Sequence, residues 1–255
     1  MIRIKNLEFS YGDNFNLKIG DLHIKNGERV SIIGPNGSGK TTLIKIISRL
    51  ISDFKGNISI KGKDLRKFSN KELSKNLAVV PQEFNTIFNY DVESIISTAR
   101  LPYSNRFSFF ENYEDKRIIE KSLKYTDLEN MKNKIFSNLS GGEKQRVMIA
   151  RAFSQETDIL LLDEFTSHLD PGHTDLLIKL VEDFSNTMNK TVVSIFHDIN
   201  LASFFSNRII VMKNGRIFKD GTPKEVITKD IIKEAYNFEG YIIDHPVKHV
   251  PQILF

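Results

Sequence analysis

The chain has 255 residues, 40% of them hydrophobic and 27% charged, with no cysteine. That composition sustains one sizeable packed core with a smaller appended lobe; disordered and collagen-like classes are excluded, as are disulfides and thiolate-bound metals. The net charge of +4 arises from lysines scattered among acids rather than gathered in a block, which is the pattern of a solvated mixed surface and predicts no nucleic-acid partner.

The opening MIRIKNLEFS lacks the unbroken apolar stretch of a secretory signal, and no run approaches the roughly 18 apolar residues that span a bilayer, so a soluble, cytoplasmic chain is expected. The first 33 residues read as short strands: IRI and LEF, then FNLKI and LHI, then RVSII after the Lys25-Asn26-Gly27 turn signal. A helix is predicted from Thr42 to Ile51, because Leu43, Ile46, Ile47 and Leu50 fall at helical spacing. NISIKG and LAVV, the latter ending at Pro81, are further strands. From Phe84 to about Ala152 the pattern turns helical, through VESIISTA, EDKRIIEKSLKY and EKQRVMIARAF.

Beyond this stretch, ILLLD and TVVSIF are apolar runs suited to a buried parallel sheet, separated by a helical segment at 172–187. RIIVM followed by GRIF reads as a hairpin, 223–236 as short helices, and 240–255 as an extended tail. The fold class is therefore α/β: a single unit with a core and a β subdomain at 1–85 and 153–255, and an inserted helical lobe at 86–152.

Gly34, Pro35, Asn36, Gly37, Ser38, Gly39, Lys40 and Thr41 fit the phosphate-loop pattern G-x-x-x-x-G-K-[ST], followed by Thr42 and set between the RVSII strand and a helix. The chemistry requires these residue types. Glycines let backbone N–H groups close around phosphate oxygens, and the helix N-terminus adds partial positive charge. Lys40 is predicted to reach the β- and γ-phosphates of a nucleotide, and the Thr41 hydroxyl to ligate Mg2+. A phosphate loop needs an acidic partner, and Asp163 ends the ILLLD strand with Glu164 directly after it. Successive strand residues point to opposite sides, so Asp163 is read as the magnesium carboxylate and Glu164 as the group that polarises the attacking water.

The motif LSGGEKQR, ahead of ILLLDEF, makes nearly the whole chain resemble the ATP-binding-cassette ATPases, a P-loop NTPase fold with an antiparallel β subdomain and an inserted α-helical subdomain. Physically, Ser140, Gly141 and Gly142 open a helix whose unpaired N–H groups form a second anion site. The resemblance implies a homodimer with ATP and Mg2+ sandwiched between protomers, where the signature of one, Glu143 included, caps the nucleotide of the other. It further implies that Tyr11 stacks on adenine, that Gln82 reaches the magnesium and the water, and that Asp170 ends the loop crossing to the partner. His197 then touches the γ-phosphate. Glu143 stands where the family often has glutamine.

The stretches FNYDVESIISTARLPY and FHDINLASFFSNRIIVMKNGRIFKDGTPKEVIT, with the HPVKHVPQ tail, resemble the ATPases of importers for metal chelates such as ferric siderophores, haem and cobalamin. Such a subunit would work at the cytoplasmic face of the membrane, docked on two separate membrane permease subunits and served indirectly by a substrate-binding protein. The docking groove would lie near Phe84, Phe88, Tyr90 and Tyr103. Zinc or manganese importers and the soluble ATPases of iron-sulfur cluster assembly share enough of the pattern to stand as alternatives.

Overall fold

The computed structural model describes residues 1–12, 15–82, 84, 89–104 and 113–254. In chain order it contains β1 (Ile2–Ser10), β2 (Asn16–Ile24), β3 (Arg29–Ile33), α1 (Lys40–Ile47), β4 (Lys55–Ile60), β5 (Lys63–Asp64), α2 (Asn70–Ser74) and β6 (Leu77–Val80). The helices α3 (Val92–Ser97), α4 (Tyr113–Tyr125) and α5 (Gly141–Ser154) follow, then β7 (Ile159–Asp163), α6 (Pro171–Thr187), β8 (Thr191–Ile195) and α7 (Ile199–Phe205). The chain ends with β9 (Arg208–Lys213), β10 (Arg216–Gly221), α8 (Pro223–Val226), α9 (Lys229–Tyr236), β11 (Tyr241–Asp244) and β12 (Pro251–Leu254).

Two sheets organise the molecule. One is antiparallel, in the order β2-β1-β4-β5; the other runs β10-β9-β3-β8-β7-β6, parallel except for β10. Alternation along β7 explains why its apolar run is unbroken. Leu160 and Leu162 enter one core with α3, α5, α6 and α7, while Ile159 and Leu161 enter the other with α1 and the antiparallel sheet. Both faces of this strand are buried, so a polar residue is tolerated only at its end, where Asp163 stands.

β3, β7 and β8 are parallel neighbours, so their C-terminal ends open on one edge of the sheet. The phosphate loop leaves β3 at that edge, Asp163 and Glu164 leave β7, and His197 follows β8. This is where ligands bind in open α/β sheets.

Local differences from the sequence reading have physical causes. IRI and LEF belong to one strand, β1, with a register shift against β4 between Lys5 and Glu8 and with Asn6 at φ 49°. α1 starts at Lys40 and stops at Ile47, because Ser48 caps it and Arg49 turns to φ 60°; Leu50, read as part of the apolar face, is 74% exposed. The segment read as an extended tail forms a hairpin: β11 pairs with β12, and Asn200 of α7 bonds both main-chain groups of Ile253, at 2.7 and 3.0 Å.

Candidate functional site

Tyr11, Asn36, Gly37, Gly39, Lys40, Thr41, Thr42, Gln82, Glu164 and His197 line one cleft of about 490 Å³, joined by Phe15. They come from the β1–β2 turn, the phosphate loop and α1, the end of β6, the end of β7 and the end of β8. The loop is tightly built beneath them. Gly34 has φ 147°, and a β-carbon there would lie 2.1 Å from the Met212 carbonyl oxygen, so no other residue fits the floor of the loop. Pro35 and Ser38 complete the loop, the Ser38 N–H donating to the Pro35 carbonyl at 3.2 Å.

Lys40 Nζ donates to the carbonyls of Gly34 at 2.8 Å and Pro35 at 3.1 Å, folding the ammonium back over the loop. Burial pushes its pKa down, against the opposing pull of the Glu164 and Asp163 charges. Thr41 Oγ1 donates to Asp163 Oδ1 at 3.4 Å. Burial pushes the Asp163 carboxyl up, and the neighbouring Glu164 charge adds to the rise.

Glu164 is the most constrained member. It holds φ at 50° without being glycine, its side chain is only 7% exposed, and Oε1 lies 2.7 Å from His197 Nε2. Its second oxygen, Oε2, is buried with no hydrogen-bond partner among the described residues. A strained backbone and a buried, unsatisfied carboxylate oxygen, on a residue that lines the cleft, are expensive features of the kind concentrated where proteins do chemistry. An ammonium, a hydroxyl, two carboxylates, an amide and an imidazole thus converge, which is equipment for holding a polyphosphate and moving a proton.

The remaining candidates gather elsewhere. Gly141 lines a second cleft of about 360 Å³ with Phe84, Phe136, Lys144, Ser167, His168 and Leu169. Gln82 borders both clefts. Ser140 caps α5 in a reciprocal box: its hydroxyl accepts from the Glu143 N–H at 3.3 Å, and the Glu143 carboxylate accepts from the Ser140 N–H at 2.7 Å. That bond to Ser140 holds the Glu143 carboxyl below its ordinary range. Asp170 caps α6 and is bonded to His173 twice.

Tyr11 is half-exposed, edge-on to Phe9 at 4.7 Å and tilted against Phe15 at 6.1 Å. In the sequence Phe15 reads as the first residue of a strand; its one signal as a cleft residue is its place as a second aromatic four residues after Tyr11. Of the aromatic residues assigned to a docking groove, Phe84 stacks edge-on against Phe136, Tyr103 is held by the Gln155 carbonyl at 2.9 Å and by Arg100 over its ring, and Tyr90 is 48% exposed. Phe88 lies outside the described residues. Among the described residues, no helix is long and apolar enough to cross a membrane.

A family model described as ABC transporter matches residues 17–167, more than half of the chain. The iron(3+)-hydroxamate import ATP-binding protein FhuC of Bacillus subtilis (strain 168) is 34% identical over 97% of this chain and 92% of its own. A solved structure described as a metal-chelate type ABC transporter in an inward-facing conformation superposes with a TM-score of 0.85 at 25% identity, covering 100% of this chain and 97% of that one. The ATP-binding cassette MJ0796, solved as a dimer in a post-hydrolysis state with ADP and Pi, gives 0.75 at 33% identity over 87% and 98%. With its phosphate loop, its paired carboxylates and these relatives, the chain belongs to the ABC transporter family and is one of its ATP-binding, ATP-hydrolysing cassettes.

Proposed function

We propose that this ATPase powers uptake of a metal chelate, with ferric siderophores first among the candidates and haem and cobalamin after them. The observation that carries the mechanism is the convergence of Lys40, Thr41, Gln82, Glu164 and His197 in one cleft. The chelate class is supported by the iron(3+)-hydroxamate import role of the Bacillus relative and by the metal-chelate type of the superposed transporter.

In the proposed reaction, the N–H groups of Gly37, Ser38 and Gly39 and the Lys40 ammonium hold the β- and γ-phosphates. Lys40 exchanges its two carbonyl contacts for phosphate oxygens as nucleotide arrives. Thr41 and Asp163 fit magnesium, since a hydroxyl and a carboxylate already in contact are hard oxygen donors. Among the described residues no three His, Cys, Asp or Glu side chains gather to hold a metal, so beyond Thr41, Asp163 and Gln82 the ion would take its ligands from phosphate and water. Magnesium would neutralise charge on the phosphates, and Gln82 would reach the same sphere. Glu164 accepts the proton of the attacking water, while His197 pairs with its Oε1 and faces the γ-phosphate. Tyr11, with Phe15, stacks on the adenine.

Ser140, Gly141, Gly142, Glu143 and Asp170 act on the ATP of a second protomer, so hydrolysis requires a homodimer with two sandwiched nucleotides. Support comes from the place of Gly141 in a second cleft of the same chain and from the dimeric state of the MJ0796 cassette. Two membrane permease subunits, reached at the cytoplasmic face, and indirectly a substrate-binding protein complete the transporter. ATP binding closes the dimer, Gln82 relays the closure to the helical lobe, and hydrolysis resets it.

The test is uptake of radiolabelled ferric siderophore, haem and cobalamin by the host strain lacking this gene. The reading expects loss of one of the three, restored by the wild-type gene and not by Lys40→Ala. Unchanged uptake of all three, with altered zinc or manganese accumulation, would overturn it.

A further inference from the structure

His173 stands in the first turn of α6, three residues after the helix-capping Asp170. Its backbone N–H donates to Asp170 Oδ1 at 3.0 Å, and its ring Nδ1 pairs with Asp170 Oδ2 at 2.6 Å. The first bond seats the residue in the helix cap, and the second sets where the imidazole lies. It lies on Gly142, the second glycine of the signature: a β-carbon on Gly142 would stand 2.4 Å from His173 Cδ2, 2.7 Å from Cγ and 3.1 Å from Nε2. A methyl group at 142 and this ring cannot occupy the same space. At Gly141 the corresponding atom would meet only Leu169 Cδ2 at 3.8 Å, an ordinary contact, so the restriction is specific to position 142.

The direction of that contact matters. The side-chain vector of residue 142 points at the protomer's own α6, so the demand for glycine is set from within the chain. The ring also joins the N-terminus of α5, in the helical lobe, to the N-terminus of α6, in the core.

We propose that His173 is a positioning residue for the shared ATP site. Braced by Asp170, its ring seats Gly142 and thereby fixes the angle at which the helical lobe presents Ser140, Gly141 and Gly142 to the nucleotide of the partner protomer. The inference rests on the ATP-sandwich reading given above and adds to it a residue that couples the signature to the loop ending at Asp170.

The test uses full-length protein in a Glu164→Gln background, comparing parent, Gly142→Ala, His173→Ala and the double variant. Light scattering gives the ATP concentration for half-maximal dimerisation, and a fluorescent ATP analogue gives binding to dilute monomer. Gly142→Ala is expected to raise the dimerisation midpoint by about tenfold, in the range of modest overpacking. Adding His173→Ala is expected to bring the midpoint back to within about twofold of His173→Ala alone, a non-additive pair in direct contact. Monomer binding stays unchanged in all four, since the phosphate loop is untouched. Additive penalties, or equal loss of monomer binding and dimerisation, would overturn the proposal. A parent that forms no ATP-dependent dimer would sink the sandwich reading and the proposal together, whereas a dimerising parent with additive penalties sinks the proposal alone.

Discussion

His197 Nε2 lies 2.7 Å from Glu164 Oε1, joining an imidazole that is half-exposed to a carboxylate that is almost fully buried. The pairing follows from the sheet. Asp163 is in register with Ile195 on the neighbouring parallel strand, so Glu164 and His197 leave adjacent strands at one level. On the proposed mechanism the imidazole orients the carboxylate and does not itself bind nucleotide tightly. His197→Ala is therefore expected to lower steady-state ATPase activity by about a hundredfold or more, the scale of a lost acid–base arrangement. Equilibrium binding of ATP should change by less than about threefold, which is under 1 kcal/mol. A turnover assay paired with fluorescent-nucleotide binding checks both.

Asp163 gives a prediction for stability and its pH dependence. Its folded-state pKa is raised by burial and by Glu164, so the acid contributes favourably only below its unfolded value, and that contribution is lost as pH rises through the folded one. At neutral pH the ionised group therefore weakens the nucleotide-free fold. Asp163→Asn is expected to raise the melting temperature at pH 7 by about 2–4 °C, the shift that 1 kcal/mol gives in a chain of this size. The gain should shrink as pH falls toward the carboxylate range. The same variant should lose magnesium-dependent hydrolysis. Differential scanning fluorimetry at pH 7 and near pH 4.5 reads the first effect; a lower melting temperature at pH 7 would contradict it.

How much of this was legible in the sequence depends on how far apart the partners are. The phosphate loop, Asp163 and Glu164 are each marked by a short motif with its own strand, so residues 34–42 and 163–164 could be read directly. The contact of His173 with Gly142 could not, because it arises where two helix N-termini meet across the fold. A histidine three residues beyond a helix-capping aspartate was its single local sign. The terminal hairpin was equally hidden: Tyr241 and Ile243 are exposed although apolar, and the pairing is secured by Asn200, more than forty residues away. Periodicity also misled at Leu50, where Arg49 leaves the helix before the apolar pattern ends.

On the proposed reading, in which Tyr11 stacks on adenine, the aromatic pair Tyr11 and Phe15 sets part of the nucleotide affinity. Stacking on adenine would need the ring of Tyr11 and not its hydroxyl, so Tyr11→Phe should bind ATP like wild type. Tyr11→Ala is expected to weaken binding by about two- to tenfold, the range of one aromatic contact. Phe15→Ala should weaken it less, by removing the neighbour against which Tyr11 tilts. Isothermal titration with ATP distinguishes these cases, and guanine nucleotides provide the control for base-independent binding.

On the proposed mechanism Glu164 carries hydrolysis within an ATP-sandwiched dimer, and pairing turnover with assembly tests this. Wild type and Glu164→Gln are compared for magnesium-dependent ATPase activity and for ATP-dependent dimerisation by light scattering. The variant is expected to lose turnover by about a hundredfold or more while accumulating as a stable dimer in ATP. Equal hydrolysis by both proteins as monomers would contradict it.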